Sequence, residues 1–200
     1  MIKKTTDRRV KYTKQVLRET LIKLLKTNHI SKISTKKLCE SADVNRTTFY
    51  AYYKNPYDLL FQIEQDTIKI IHDYILEKSL QSEAPYKSLN ILLEYAAQNA
   101  ELFQILLKEK EESSFIKEII KLVREMPLME ILGKTKPHEI EYIQMFIITG
   151  CINVIDKWLK DGMIEPISEI ADLILFLFKN LGISGNQKKL NKTKTTLIKK

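Results

Sequence analysis

The sequence predicts an all-α protein, with an N-terminal three-helix domain followed by a larger helical bundle. Glycine and proline number only five each in 200 residues, so long helices are rarely interrupted. Apolar residues recur at helical spacing in several segments, whereas the alternation typical of a half-buried strand is rare. They make up 44% of the chain, which is enough for a folded core.

Three helices are predicted in the first quarter of the chain. Residues 12–27 carry apolar side chains at helical spacing, and we expect the polar, basic residues before them to be frayed. Ser34 is a suitable N-cap for a short helix through Ser41. Asn45 can cap a third helix, at about residues 46–52.

The body begins where Asn55 can cap a long helix and Pro56 can occupy its first position. Residues 184–200 are rich in Lys, Thr and Asn without a core pattern, and we expect them to be disordered. We therefore predict an N-terminal three-helix domain at 1–55, a helical body at 56–183 and a basic tail at 184–200. Body helices are predicted at about 56–78, 86–98, 101–109, 114–126, 137–160 and 167–181.

The net charge of +8 is distributed unevenly. Residues 1–56 hold 14 Lys and Arg against 4 Asp and Glu, residues 57–183 hold 13 against 21, and the tail holds six and none. A basic first quarter is thus joined to an acidic body. A polyanion would meet the first quarter, because the acidic body would be repelled from it.

Two short helices separated by about three residues describe a helix-turn-helix unit, whose second helix can enter a DNA major groove. The first turn of that helix would hold Asn45, Arg46, Thr47 and Thr48. Arg46 can pair with guanine edges, and the two threonines can touch thymine or phosphate. Tyrosine hydroxyls and a lysine that follow can hold phosphates without selecting a base sequence. These residues are Tyr50, Tyr52 and Lys54.

Aromatic residues at helical spacing can also be ordinary core. We expect this of Phe49 and of one neighbouring tyrosine. Three tyrosines within four residues cannot all be core, because a short helix has only one buried stripe. At least one tyrosine is therefore predicted at the surface.

The stretch from Ile33 to Tyr50, ISTKKLCESADVNRTTFY, with Tyr53-Lys54-Asn55 and Leu59, resembles the DNA-binding domain of the TetR (tetracycline-repressor) family. The segments 142–150 and 158–163 resemble, more weakly, the C-terminal domain of many Firmicutes members. The resemblance implies an all-α homodimer on a palindromic operator. It implies a phosphate contact for Thr35 and a base or phosphate contact for Lys36, besides the residues above.

Two positions depart from the family pattern. The family usually has glycine in the turn between the two helices, where this chain has Asp43. Asp tolerates a positive φ better than most residues. The family often has a phosphate-binding lysine at the start of the next helix, where this chain has Pro56. Lys54 or the helix N-terminus would then have to replace that contact.

The last two helices are predicted to be apolar around most of their circumference, so they need cover on more than one side. A second copy of the chain is the natural cover, and Gly150 would permit close approach. Ordinary internal packing is the alternative for Gly150 and for Trp158. The predicted interface residues are Phe146, Gly150, Ile155, Trp158, Ile174 and Phe178.

A ligand cavity within the helical body is a further expectation. Five polar or soft residues among apolar ones are candidates to line it, and an ordinary core is the alternative for each. By family analogy the ligand is a small-molecule effector of unknown identity, and repression is the usual mode although activators exist. The candidates are His72, Tyr74, Tyr95, Phe103 and Met126.

Nothing in the sequence indicates an enzyme, a cofactor or a metal site. No GxSxG, P-loop, GxGxxG or HExxH motif is present, and the three histidines are mutually distant. Two separated cysteines and no export signal or membrane-spanning run favour a reducing cytoplasm and no membrane partner. A non-specific polyanion or membrane-surface module is the alternative function, since charge alone would permit it.

Overall fold

The computed structural model describes residues 2–79, 85–108, 114–124 and 137–177. Within these ranges every regular element is helical, and the all-α prediction is confirmed. The N-terminal elements are α1 (Ile2–Leu25), a 3-10 turn (Ile30–Lys32), α2 (Thr35–Ala42) and α3 (Arg46–Tyr50). The body elements are α4 (Pro56–Ser79), α5 (Pro85–Gln98), α6 (Ala100–Leu106), α7 (Ser114–Arg124), α8 (Pro137–Lys160) and α9 (167–177).

Several predicted boundaries are wrong; α6, for example, ends at Leu106 rather than at about residue 109. The first helix begins at Ile2 rather than near Tyr12, because Lys, Arg and other straight-chain residues favour helix even without a core to pack on. Helix α3 ends at Tyr50 rather than at residue 52, and a turn follows it. The predicted end of the last helix and the basic tail lie outside the described residues.

We call residues 1–55, which contain α1–α3, the three-helix unit. Its three helices share one core. The inner face of α1 buries Leu17, Leu21 and Leu25, spaced four residues apart as a single helix face requires. Leu38 of α2 and Phe49 of α3 are fully buried in the same core. Phe49 therefore faces inward, as the sequence predicts.

Helix α4 connects the three-helix unit to the body. It contacts α1, α5 and α7. Asn55 caps it, because the Asn55 Oδ1 accepts a hydrogen bond from the Asp58 backbone N–H at 2.9 Å. Its buried face includes Leu59, Ile63 and Ile71. Movement of α4 would therefore be felt in both parts of the molecule.

The core of the body is completed by aromatic contacts between α5, α6 and α7. The ring centroids of Tyr95 and Phe103 are 5.8 Å apart, and those of Phe103 and Phe115 are 5.7 Å apart. Both pairs are edge-to-face, which is a favoured aromatic geometry. These rings fix α6 between its neighbours in the chain.

Helix α8 ends in a Schellman motif. The Met163 N–H donates to the Trp158 carbonyl at 2.9 Å, and Gly162 adopts a φ of +87°. The Trp158 indole N–H donates to the Glu165 carbonyl at 2.9 Å, which holds the following loop against the helix end. Among the helices described, none combines the length and apolar character that crossing a bilayer would need.

Candidate nucleic-acid interface

The turn between α2 and α3 is built from local capping interactions. The Ser34 Oγ accepts a hydrogen bond from the Lys37 N–H at 3.1 Å and starts α2. Asp43 ends α2 in the left-handed conformation, with φ 51° and ψ 43°. Two residues later the Asn45 Oδ1 accepts from the Thr47 N–H at 2.8 Å and starts α3. The short turn expected of a helix-turn-helix unit is thus present, with Asp at the usual glycine position.

Helix α3 presents one polar face and one buried face. Arg46 and Thr47 are exposed and Thr48 is half-buried, whereas Phe49 is fully buried. Tyr53, just beyond the helix, is buried against Phe49, with ring centroids 5.6 Å apart. The first turn of α3 is therefore available to a groove, while the rings behind it hold the helix on the core.

A small cluster joins the end of α3 to the start of α2. The Arg46 Nη2 lies 3.5 Å from the Tyr50 hydroxyl, and the Tyr50 side chain is half exposed. The pKa of Tyr50 is lowered, first by the hydrogen bond from Arg46 and then by one from Thr35. Arg46 thus lies beside the Tyr50 hydroxyl at the surface, at the upper limit of hydrogen-bond distance.

Another part of the surface lies just after α3. The Lys54 backbone N–H donates to Asp58 Oδ2 at 2.9 Å, which fixes the backbone while the Lys54 side chain stays exposed. The Lys14 ammonium lies 5.4 Å from the centre of the Tyr52 ring, within cation–π range. Lys14 was not among the predicted residues. Its contact joins positions far apart in sequence, and local pattern carries no signal for it.

All the predicted DNA contacts lie at the surface of the three-helix unit. Asn45 and Lys36 are exposed, and Lys36 lies 3.9 Å from Glu40 of the same helix. Further cations on α1 are also exposed, among them Arg8, Arg9 and Lys11. The structure brings the predicted residues together on one unit, and their individual roles stay predictions.

Two ion pairs link the three-helix unit to the body, one from α1 and one from the residue that follows α1. The Arg18 Nη1 lies 3.3 Å from Asp66 Oδ2 of α4, and its Nη2 donates to Thr67 Oγ1 at 3.4 Å. The Lys26 Nζ lies 2.8 Å from Glu101 Oε1 of α6. The orientation of the three-helix unit on the body therefore depends partly on charge.

The residues predicted to line a ligand cavity are only partly brought together. Tyr95 and Phe103 touch edge to face, and burial raises the pKa of Tyr95. His72 is exposed instead, in a surface groove between α4 and α7. The Tyr74 side chain and all of Met126 lie outside the described residues.

The residues predicted at a dimer interface divide into two groups. Phe146 is 68% exposed, and a methyl group added at Gly150 would meet no atom within 4 Å. Ile155, Trp158 and Ile174 are buried within their own chain, so they offer no surface to a second copy. Phe178 lies outside the described residues. The exposed apolar side chains on these helices are instead Tyr142, Met145, Phe146, Leu173, Phe176 and Leu177.

Metal-binding chemistry finds no support in the described part of the chain, where no group of three or more His, Cys, Asp or Glu could hold an ion. The free cysteines are Cys39, which is buried, and Cys151, which is half-buried. Burial raises the pKa of Cys151 to about 12, so its thiol stays protonated and unreactive at neutral pH.

Comparison with known proteins agrees with this geometry. Residues 83–180 match the family TetR_C_8, described as a transcriptional regulator C-terminal region. No curated protein is significantly similar to the chain.

Solved structures share the fold at low sequence identity. A TetR-family regulator from Syntrophomonas wolfei is 20% identical with a TM-score of 0.68, over 87% of this chain and 96% of that one. A TetR regulator from Streptococcus agalactiae 2603V is 21% identical with a TM-score of 0.66, over 87% and 97%. The regulator FadR from Bacillus subtilis, solved with stearoyl-CoA, is 14% identical with a TM-score of 0.62, over 82% and 96%.

The short turn between α2 and α3 and the exposed first turn of α3 have the geometry of a helix-turn-helix unit, in a fold that solved transcriptional regulators share. Residues 83–180 thus resemble the C-terminal region of a family of transcriptional regulators, and the chain shares its fold with solved TetR-family regulators. The alternative of a non-specific polyanion or membrane-surface module is not supported. The matching family and its structural neighbours are regulators rather than enzymes.

Proposed function

We propose that the protein is a homodimeric repressor that binds a palindromic operator and is released from it by a small molecule. The observation that carries this proposal is the first turn of α3, where the Asn45 cap leaves Arg46 and Thr47 exposed. An N-terminal turn of this kind is the part of a recognition helix that contacts base edges. We assign the three-helix unit, residues 1–55, to DNA binding and residues 56–183 to dimerisation and ligand binding.

The base contacts are proposed for Arg46, Thr47 and Thr48. Arginine can donate two hydrogen bonds to guanine, and the threonine methyl groups can touch thymine. Phosphate contacts hold the unit in register without selecting sequence. We propose them for Thr35, Tyr50, Tyr52 and Lys54. Lys36 would contact a base or a phosphate, and Asn45 lies on the first turn, which reaches the bases.

Dimerisation is proposed through α8 and α9. Their outward faces carry exposed aromatic and aliphatic side chains, and the exposed fraction of Phe146 is 68% and that of Phe176 is 61%. An apolar surface of this kind on a soluble regulator is typical of a protein interface. A two-fold dimer would also present two α3 helices to successive turns of the same DNA face.

Release by a small molecule is supported by the family and by one neighbour. The Bacillus subtilis FadR structure was solved with stearoyl-CoA, so this fold can hold a ligand. A ligand that prefers one separation of the two three-helix units would shift operator affinity by that preference. A reporter gene placed behind the operator tests whether the protein represses or activates transcription. Deletion of a repressor raises expression of the reporter.

Selection of duplexes from a random library by the full chain tests DNA recognition. We expect a palindrome with half-sites about 34–36 Å apart, bound roughly 10³-fold or more tightly than random DNA at the same salt. Recovery of unrelated sequences, all bound with equal affinity, would contradict the proposal.

A further inference from the structure

A cavity lies where the three-helix unit meets the body, apart from the residues predicted to line a ligand site. Its volume is about 210 Å³. An engineered apolar cavity of about 150 Å³ holds benzene, so the volume here suits one substituted ring. Apolar side chains from both parts of the molecule form most of the wall: Leu25, Ile30, Leu60, Phe61, Ile105 and Leu106.

The buried carboxyl group in the wall of the cavity is already engaged. Glu64 is only 7% exposed, and its Oε2 accepts a hydrogen bond from the Ser114 hydroxyl at the start of α7. Glu64 has a further interaction within the protein, so we assign it no part in holding a ligand. Its contact with Ser114 instead joins α4 to α7 beside the cavity.

Asn28, another polar residue of the wall, is engaged at both ends of its side-chain amide. Its Nδ2 donates to the Leu24 carbonyl at 2.9 Å and to Thr27 Oγ1 at 3.0 Å, and its Oδ1 accepts from Lys37 Nζ of α2 at 3.0 Å. Lys108 is exposed, so water screens its charge. An ionised ligand would have to leave water for a wall whose buried polar groups already have partners, and that transfer is costly. The cavity therefore favours an uncharged ligand.

The mouth of the cavity is aromatic. Tyr57 and Phe61 lie one turn apart on α4, and they are 52% and 50% exposed although both line the cavity. A planar ring held in the cavity would contact these two rings in stacked or edge-to-face geometry and remove their apolar surface from water. The half-exposed rings therefore favour an aromatic ligand over an aliphatic one.

We propose that this cavity binds a small uncharged aromatic molecule, a single ring with a short apolar substituent, packed against Leu60, Phe61 and Ile105. Its role as the effector rests on the proposed function, whereas its binding to the cavity does not. Asn28 forms part of the wall and is hydrogen-bonded to Lys37 of α2. A ligand here would therefore be linked to the helix-turn-helix unit through a single intermediate side chain.

Three probes of similar shape test the charge preference on the full-length protein without DNA: ethylbenzene, benzylamine and benzoate. The first is uncharged, and at neutral pH the second is a cation and the third an anion. Ligand-detected NMR titration is expected to give an affinity for ethylbenzene at least about tenfold higher than for the other two, because burial of an unpaired charge is costly. Equal affinities, tighter binding of a charged probe, or binding of none would overturn the proposal without any variant having to fold.

Two variants then locate the site. Leu60→Trp fills the cavity and is expected to lower the affinity for ethylbenzene about tenfold or more, whereas Ile70→Trp enlarges an exposed residue of the same helix and should not change it. Phe61→Ala removes a half-exposed ring and is expected to lower the affinity about two- to fivefold, with Ile70→Ala as its control. Circular dichroism checks that each variant is folded, and Phe61→Ala carries the test if Leu60→Trp is not. Ethylbenzene affinity that is unchanged in the folded cavity variants would refute the location.

Duplex selection distinguishes this proposal from the proposed function. A chain that selects a palindrome but binds none of the probes disproves only the ligand site. A chain that binds ethylbenzene in the cavity but shows no DNA preference disproves only the regulator proposal. A change in operator affinity of about fivefold or more at saturating ethylbenzene supports the effector role, and an unchanged affinity removes that role alone.

Discussion

Individual side chains on α3 have different expected roles because they occupy different surroundings. Arg46 is exposed on the first turn, and its Nη2 lies 3.5 Å from the Tyr50 hydroxyl. Lys54 lies beyond the helix, on a backbone fixed by Asp58. A planar guanidinium suits base recognition, and a flexible ammonium suits a phosphate.

Arg46→Ala is expected to reduce discrimination at particular base positions by about 1–3 kcal/mol, whereas Lys54→Ala should weaken binding to all duplexes similarly. Titration against the operator and a set of single-base variants, at one fixed salt concentration, measures both effects. Equal, sequence-independent losses for the two variants would contradict the assignment.

Asp43 offers a residue-scale test of backbone conformation. Its φ of 51° is unfavourable for a side chain with a Cβ. Asp43→Gly should therefore raise the free energy of unfolding by up to about 1 kcal/mol. Ser41→Gly, an exposed position within α2, should lower it by a similar amount. Urea denaturation of both variants is the measurement, and a destabilised Asp43→Gly would show that the aspartate side chain has a compensating role.

At the scale of elements, local chemistry was predictable and long-range contact was not. Ser34, Asn45 and Asn55 were identifiable as caps because each bonds a backbone N–H two or three residues away. The early start of α1 was missed because a helix of good formers needs no apolar stripe. The pairing of Lys14 with Tyr52 depends on how α1 packs near the segment that follows α3, which sequence spacing does not encode.

The same limit applies to the predicted sites. Ile155 and Ile174 belong to apolar helices, but only packing decides which face of each helix is inward. A cavity lined by Leu25, Leu60 and Ile105 draws its wall from α1, α4, α6, α7 and the segments that follow α1 and α6, so no continuous motif marks it. Sequence alone could identify the class of the protein but not this cavity.

The end of α8 gives a prediction for an element. Gly162→Ala should lower the free energy of unfolding by about 1 kcal/mol, because φ of +87° is costly for any residue with a Cβ. Gly150→Ala in α8 is the control, since a methyl group at Gly150 has no other side chain or neighbouring helix of its own protomer within 4 Å. Thermal and urea denaturation should rank Gly162→Ala as the less stable variant.

For the whole molecule, the fold joins an exposed cationic unit to an acidic body through α4 and two ion pairs. This arrangement lets a change at the body reach the helix-turn-helix unit, because α4 contacts both α1 and α7. Binding sites coupled through such a shared element affect each other reciprocally.

Phe146→Glu tests the proposed dimer. The side chain is 68% exposed, so the change should leave the protomer folded and place a charge in the interface. Sedimentation velocity at micromolar concentration should show a dimer for the natural chain and a monomer for the variant. Tyr12→Glu, on an equally exposed aromatic residue of α1, should stay dimeric. A monomeric natural chain would remove the proposed interface.

The ion pairs of Arg18 and Lys26 affect how the DNA affinity of the protein should depend on salt concentration. Both pairs reach the solvent and are short, so mobile ions weaken them appreciably only near about 1 M salt, where the screening length falls to about 3 Å. Added salt would weaken the attachment of the three-helix unit to the body. It would also compete with the protein for DNA phosphates. A plot of log affinity against log ionic strength, straight for a rigid binder, should therefore curve. The degree of curvature would measure how rigidly the three-helix unit is attached to the body.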